Sequence, residues 1–213
     1  MDRTNISKCS FMTKEVVWDR TEQFREIYKK YDSCPYDVEL VAEQAGYEII
    51  PKRDLDELDA FIGLNMKTIF VNARTYDNPS YANRIRFSIA HELGHAILHG
   101  EIIKNQHISN IEDYLSFERS LSDLEYKGFE WQANEFAGRL LVPRHHLIEQ
   151  LHQQIQVLRD NNILHLLRSI PDQIRSSMST PIARFFEVSD DVIEIRLMRE
   201  DIWPPDVDFN QEE

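Results

Sequence analysis

The strongest constraint on the fold of this chain is one long amphipathic segment that begins near Asn78 and Pro79. An Asn-Pro pair is a typical helix start, because asparagine caps the helix and proline fits its first turn. Apolar side chains then recur at helical spacing as far as Gly100, at Ile85, Ile89, Leu93 and Ile97. This period predicts a long helix with one apolar face. The helix follows a group of short extended segments in the sequence.

The same helix carries His91, Glu92 and His95 in the pattern H-E-x-x-H. Residues four apart lie one turn apart on the same face, so the two imidazoles can converge on one tetrahedral zinc ion. Glu92 is rotated by about 100° from His91, which makes it a poor ligand but allows it to take a proton from the attacking water. The pattern predicts zinc ligands at His91 and His95 and a general base at Glu92. The alternative is a buried helix whose histidines are satisfied by hydrogen bonds.

A catalytic zinc site also needs a third protein ligand and an open fourth position. His99 continues the same stripe, but on a straight helix it lies about 12 Å from His91 along the axis. That separation is too large for the two side chains to share one ion. We therefore interpret His99 as a structural histidine near the end of the helix.

Glu130 is the better candidate for the third ligand, and it lies on a second predicted helix. This helix opens with the capping-box pair Ser122 and Glu125 and runs towards Leu141. One stripe at helical spacing contains Glu130, Ala133, Asn134, Ala137 and Leu141. The alanines allow the two helices to approach closely, and the Asn134 amide is placed to hold a ligand imidazole. Glu125 and Glu135 point away from Glu130 around the helix, so we interpret them as solvated charges.

The remaining segments indicate an α+β fold with a small, largely antiparallel sheet. Helices are predicted over 14–31, over 37–45 before a cap at Gly46, and again to about Leu167; strands are predicted over 47–50, 60–64 and 68–72. An acidic loop is expected over 101–123, and two short helical runs over 180–199 resemble a helix-turn-helix pair. We divide the chain into an N-terminal helical extension (1–35), a catalytic domain (36–155) and a helical C-terminal segment (156–213).

Charge and composition exclude several classes of protein. The chain has 213 residues and a formal charge of −13, which opposes binding to a phosphate backbone. No apolar stretch is long enough for a membrane span or resembles a signal peptide, so we expect a cytoplasmic protein without a membrane or nucleic-acid partner. Cys9 and Cys34 lack a paired-ligand spacing and are expected to be reduced thiols.

Two segments together resemble the ImmA/IrrE family of metallopeptidases. The first is R-I-R-F-S-I-A-H-E-L-G-H at 84–95, and the second is E-W-Q-A-N-E-F-A followed by G-R-L-L-V-P at 130–143. The run I-A-R-F-F-E-V-S at 182–189 is similar to a helical segment that often follows in such proteins. The pair of motifs is much more specific than H-E-x-x-H alone.

The resemblance implies a zincin-like fold, zinc ligands at His91, His95 and Glu130, and Glu92 as the catalytic acid. It also implies a protein substrate, because family members act on Xre-type helix-turn-helix repressors, often encoded nearby on phages or other mobile elements. Cleavage of such a repressor or antitoxin would relieve transcriptional repression. The resemblance assigns no oxyanion-stabilising residue, and the candidates are Tyr126, Arg84, Arg86, His145 and His146.

Two other functions are consistent with parts of the sequence. A metal-stabilised interaction protein would keep the histidines as structural ligands and sequester a repressor or antitoxin without cutting it. A transcription factor would use the helical pair at 180–199, but this stretch has no basic recognition face. For the peptidase, we expect the substrate to bind extended along an edge strand, for which we choose Thr68–Asn72.

Overall fold

The computed structural model describes residues 11–53, 55, 58–105, 116–117 and 119–207. The chain forms two compact units. The first comprises Met1–Asp32 and Asp37–Leu140, and the second comprises Ser33–Tyr36 and Leu141–Glu213. The boundaries proposed above at 35/36 and 155/156 stay predictions. Of the helices in the described part of the chain, none is both long and apolar enough to cross a membrane.

The first unit contains α-helices and three strands within the described residues, and residues 116–117 and 119 are helical as well. The helices are α1 (Lys14–Ile27), α2 (Val38–Gln44), α3 (Ala73–Tyr76), α4 (Ala82–Asn105) and α5 (Asp123–Leu141), with 3₁₀ turns at Lys29–Tyr31 and Pro79–Tyr81. The strands are β1 (Glu48–Lys52), β2 (Ala60–Ile62) and β3 (Thr68–Asn72). The α+β class predicted from the sequence is therefore confirmed.

The sheet is mixed, which corrects the expectation of a largely antiparallel sheet. Its strand order is β1-β3-β2. β1 pairs with β3 in parallel, with Glu48 opposite Thr68, whereas β2 pairs with β3 antiparallel, with Ala60 opposite Val71. β3 lies between β1 and β2, so β1 and β2, which follow each other in sequence, are not neighbours in the sheet. Thr68–Asn72 is consequently the central strand, and its choice as the edge strand that receives a substrate was wrong.

The long helix α4 begins close to the predicted place but ends later. The Asn78 side chain accepts a hydrogen bond from the Ser80 N–H, which caps the 3₁₀ turn that leads into α4. The helix continues past Gly100 to Asn105, because Ile103, only 2% exposed, extends the buried apolar face. The first five residues of the expected 101–123 loop are therefore helical. Residues 106–115 and 118 of that loop, like Cys9, lie outside the described residues.

Helix α5 starts with the predicted capping box and is backed by α1. The Ser122 N–H donates to Glu125 Oε2 at 2.9 Å, and the Glu125 N–H donates to Ser122 Oγ at 3.3 Å. On the side of α5 that faces α1, Glu135 is 5% exposed and accepts a hydrogen bond from Trp18 Nε1 at 2.6 Å. The interpretation of Glu135 as a solvated charge was therefore wrong, because α1 covers it.

Further contacts hold α1 on α5. Arg139 Nε donates to Glu22 Oε1 at 2.7 Å, and Arg25 donates to the Leu140 carbonyl at 2.7 Å. The predicted 14–31 helix ends at Ile27, and the 3₁₀ turn Lys29–Tyr31 follows it. Helix α1 therefore packs within the first unit.

The second unit is helical in the described residues. Its helices are α6 (Arg144–Asp160), α7 (Leu166–Ser169), α8 (Pro171–Phe186) and α9 (Asp190–Arg199). The helical pair expected over 180–199 is present as α8 and α9, but α8 begins nine residues earlier than the predicted run, at Pro171. Ile182, Phe186, Ile193 and Leu197 are buried where the two helices pack.

Candidate metal centre

Helix α4 brings the first two predicted ligands together. His91 and His95 lie one turn apart, and their Nε2 atoms are 2.9 Å from each other. Their other ring nitrogens, the Nδ1 atoms, contact other side chains. Both imidazoles therefore aim the same type of nitrogen at one point.

Helix α5 brings the third predicted ligand to the same point. Glu130 Oε2 lies 3.4 Å from His91 Nε2, and Glu130 Oε1 lies 3.4 Å from His95 Nε2. In a tetrahedral zinc site with bonds of about 2.0–2.1 Å, neighbouring donor atoms are separated by about 3.3 Å. The spacing of these two nitrogens and the carboxylate therefore fits one divalent cation, and the three side chains form the one such cluster among the described residues.

The cluster depends on a close approach between α4 and α5. Ala133 and Ala137 are fully buried. A Cβ added at Gly94 would lie 3.2 Å from the Ala133 carbonyl oxygen and 3.1 Å from Phe136 Cδ1. Glycine at position 94 is thus what allows the two backbones to come this near.

Asn134 contacts the first histidine, as its position on the α5 stripe predicts. Its Oδ1 lies 3.0 Å from His91 Nδ1. An amide oxygen can only accept a hydrogen bond, so His91 Nδ1 carries the proton and Nε2 keeps its lone pair for the cluster. The role of Asn134 in holding the ligand remains a prediction.

His99 and Gln132 contact the second histidine, and sequence reasoning missed this arrangement. His99 Nδ1 lies 3.0 Å from His95 Nδ1, and His99 Nε2 lies 3.1 Å from Gln132 Oε1. The His99 ring also stacks on Phe129, with 3.7 Å between the ring centroids. His99 is not one of the three residues of the cluster, but it contacts His95, which is. The signal that pointed to it was the repeat of histidine at every fourth position from 91 to 99.

Glu92 lies beside the cluster and is tied to the sheet. Its Oε2 accepts a hydrogen bond from the Ile62 N–H in β2 at 2.7 Å. Burial raises the pKa of the Glu92 carboxyl, and the nearby His95 and His91 offset only part of that effect. A carboxylate with a raised pKa holds a proton more readily, which suits a group that accepts and then returns one.

The other groups in the cluster have perturbed pKa values for opposing reasons. Burial acts to raise the pKa of Glu130, but the neighbouring His91 and His95 imidazoles outweigh it and hold that pKa below the ordinary value. Burial acts to lower the pKa of His91, but Glu130 and Glu92 raise it above its ordinary value. Burial lowers the pKa of His99 to about 3, with His95 adding to the effect, so His99 is neutral at physiological pH.

The candidates for oxyanion stabilisation have different surroundings. The Arg84 guanidinium forms an ion pair with Asp59. Tyr126 lies on α5 one turn before Glu130 and is 44% exposed. His145 and His146 belong to the second unit, where His146 Nδ1 lies 3.0 Å from Glu149 Oε2. The assignment of this role stays open among these four residues and Arg86.

A comparison with models of protein families gives a match. A peptidase family model, described as the IrrE N-terminal-like domain, matches residues 36–198, which is more than half of the chain. The match includes α4 and α5 with all the residues of the cluster, and begins after α1. No curated protein sequence matches the chain.

Proposed function

Because the chain belongs to the metallopeptidase family described as the IrrE N-terminal-like domain, we propose that it is a zinc-dependent endopeptidase. Its proposed substrate is a helix-turn-helix repressor or antitoxin of the Xre type in the cytoplasm. The observation that carries this proposal is the convergence of His91, His95 and Glu130 beside Glu92. Family membership supports the general reaction, and the cluster supports where it takes place.

The donor set supports zinc as the metal. Two imidazole nitrogens and one carboxylate oxygen form the ligand set of many catalytic zinc sites, and three protein ligands leave a fourth position open. Magnesium and calcium prefer oxygen ligands throughout, so the two imidazoles argue against either ion. When bound, zinc would polarise the scissile carbonyl and lower the pKa of the attacking water.

Glu92 is the proposed general base and acid. The hydrogen bond from the Ile62 N–H fixes one carboxylate oxygen, Oε2. Glu92 takes the proton from the attacking water and then delivers it to the leaving amine.

The outer edge of β2 is the proposed docking strand for the substrate. β2 is at the edge of the sheet, next to α4. The Asp59 carbonyl and the Gly63 N–H bond to β3, at 2.8 and 2.7 Å. Backbone groups alternate in direction along a strand, so those of Ala60 and Ile62 point to the other side. The Ile62 N–H on this outer edge donates to Glu92. A substrate segment that adds to the edge would therefore run past Glu92.

The charge of the chain supports a basic protein partner. With 37 acidic and 24 basic residues, the formal charge is −13. DNA-binding repressors are rich in lysine and arginine, because these side chains neutralise the phosphates of DNA. An acidic peptidase would therefore attract such a repressor and repel its operator DNA.

A cleavage experiment with a catalytic variant tests this proposal. The zinc-loaded protein is incubated with a candidate repressor encoded beside it, and fragments are identified by mass spectrometry. Glu92→Gln should lower the cleavage rate by about 10²–10⁴-fold while zinc content stays at the wild-type level, because Glu92 is not a ligand. The matched control is Glu101→Gln, which neutralises an exposed carboxylate on the same helix and should cleave normally.

Two results would contradict the proposal. Cleavage by Glu92→Gln at the wild-type rate would remove Glu92 from the mechanism. A repressor that the wild-type protein binds and leaves intact would favour sequestration without proteolysis.

A further inference from the structure

The two ligand imidazoles are held from behind by different means, although both supports come from α5. His91 Nδ1 contacts Asn134 Oδ1 directly at 3.0 Å. His95 Nδ1 reaches α5 only through an additional ring, with His99 Nδ1 at 3.0 Å and then Gln132 Oε1 at 3.1 Å from His99 Nε2. We call His95, His99 and Gln132 the histidine relay.

The direction of each hydrogen bond in the relay follows from the chemistry of its last member. An amide oxygen only accepts, so His99 Nε2 must donate to Gln132 Oε1. A neutral imidazole that donates through Nε2 accepts through Nδ1, so His95 Nδ1 must donate to His99. His95 is then left with a lone pair on Nε2, which is the nitrogen that faces His91 and Glu130.

We propose that His99 and Gln132 are positioning residues that fix the tautomer and the ring orientation of His95 for metal binding. This inference rests on the proposed function, because it assigns to His95 the role of a ligand. It gives His99 a role in metal affinity without making it a ligand. The third histidine of the stripe is then part of the metal centre.

Burial makes the relay difficult to replace by solvent. His95 is 5% exposed, His99 1% and Gln132 2%. Water has little access to these atoms, so a lost hydrogen bond in the relay leaves its partner unsatisfied. Phe129 stacks on the His99 ring and restricts its rotation. Loss of Gln132 would remove the acceptor that keeps the proton on His99 Nε2, so His99 Nδ1 would no longer be fixed as the acceptor for His95.

The alternative is that His99 only fills space in the core. Two variants at this position distinguish a packing role from a role in the relay. His99→Leu fills the space against Phe129 but has no acceptor for His95. His99→Asn leaves space unfilled but places its Oδ1 about where Nδ1 was. A packing role predicts that leucine preserves zinc affinity better, whereas the relay predicts that asparagine does.

A matched pair on α5 tests the other end of the relay. Gln132→Leu removes the acceptor that faces His99. Glu135→Leu removes a buried acceptor from the same helix, but one that faces Trp18 on α1. Both variants lose a buried hydrogen bond and should lower the free energy of unfolding, and only Gln132→Leu should affect the metal centre.

Two measurements on the full chain give the result. Zinc affinity is measured by competition with a chelator, and the tautomer of His95 by ring-nitrogen chemical shifts in the metal-free protein. Gln132→Leu and His99→Leu should weaken zinc binding about 10- to 100-fold, the usual effect of removing a group that orients a ligand. Both should also convert His95 from the Nδ1–H form to a mixture of tautomers. Glu135→Leu should leave both measurements unchanged, and His99→Asn should stay within about threefold of the wild-type affinity.

The inference would be overturned if His95 kept the Nδ1–H form in Gln132→Leu, or if His99→Leu bound zinc better than His99→Asn. A wild-type protein that binds no zinc would contradict the proposed function instead. The chemical shifts of the metal-free variants would then still decide whether the relay fixes the His95 tautomer.

Discussion

Glu130 is the residue that converts a pair of histidines into a three-donor cluster. His91 and His95 come from one helix and would face each other without it, whereas Glu130 comes from α5 and reaches both imidazoles at 3.4 Å. Its lowered pKa keeps the carboxylate ionised over the whole physiological range. Glu130 is therefore ready to bind a cation without first losing a proton.

Replacement of Glu130 tests its assignment as the third ligand. Glu130→Gln keeps the shape of the side chain but removes its charge, so zinc affinity should fall by at least about 100-fold, as measured by chelator competition. Asp123→Asn is the control, because Asp123 is an exposed carboxylate in the first turn of the same helix. Equal zinc affinities of Glu130→Gln and the control would show that Glu130 is not a ligand.

At the scale of residues, local spacing was informative and distant contacts were not. The convergence of His91 and His95 follows from four-residue spacing on a helix, so the sequence predicts it. The contact of His99 with Gln132 joins residues 33 positions apart and depends on the rotamers of both. No periodicity within α4 could reveal it.

The approach of α4 to α5 is what sets the geometry of the cluster at the scale of elements. Alanine is a better helix former than glycine by about 1 kcal/mol. Position 94 nevertheless holds a glycine, because an added Cβ would press on the Ala133 carbonyl and on Phe136. Position 100 of the same helix has space, and its nearest atom would be Met66 Cγ at 4.0 Å.

Replacement of Gly94 and of Gly100 by alanine should therefore change the free energy of unfolding in opposite directions. Gly94→Ala should lower the free energy of unfolding by about 1–3 kcal/mol and weaken zinc binding, because α5 and Glu130 must move away. Gly100→Ala should raise it by up to about 1 kcal/mol and leave zinc binding unchanged. Chemical denaturation and chelator competition measure the two quantities. If both variants were equally stable, the close approach at Gly94 would not limit the site.

The ends of elements were predictable where one side chain sets them, and strand order was not. The Asp37 side chain accepts from the Leu40 N–H to cap α2, and the Ser122–Glu125 box opens α5. Both signals lie within four residues of the end that they fix. The insertion of β3 between β1 and β2 depends instead on how the sheet packs against α4, which alternation within a strand does not encode.

At the scale of the whole molecule, two features outside the cluster bear on the proposed function: the net charge of the chain and the N-terminal helix α1. The formal charge is −13, and the family match begins at residue 36, after the helix α1 that covers the far side of α5. The charge affects the rate at which a partner associates with the protein rather than the chemical step. Helix α1 helps to hold α5, the helix that carries Glu130, in place.

Association with a basic repressor should therefore depend on salt. Screening shortens the reach of the acidic surface, with a Debye length of about 10 Å at 0.1 M salt. The association rate of Glu92→Gln with the repressor, measured by stopped flow, should fall by at least about tenfold between low and high salt. A repressor variant with lysines replaced by glutamines is the control and should lose most of this dependence. An association rate that does not change with salt would contradict electrostatic attraction.

The central claim is that His91, His95 and Glu130 hold one zinc ion, and anomalous diffraction from crystals of the zinc-loaded protein tests it most directly. Data on either side of the zinc absorption edge locate the ion without reference to activity. The account predicts one strong peak at about 2.0–2.2 Å from His91 Nε2, His95 Nε2 and a Glu130 carboxylate oxygen. A peak bound by other residues, or a Glu130 carboxylate turned away from the ion, would contradict it.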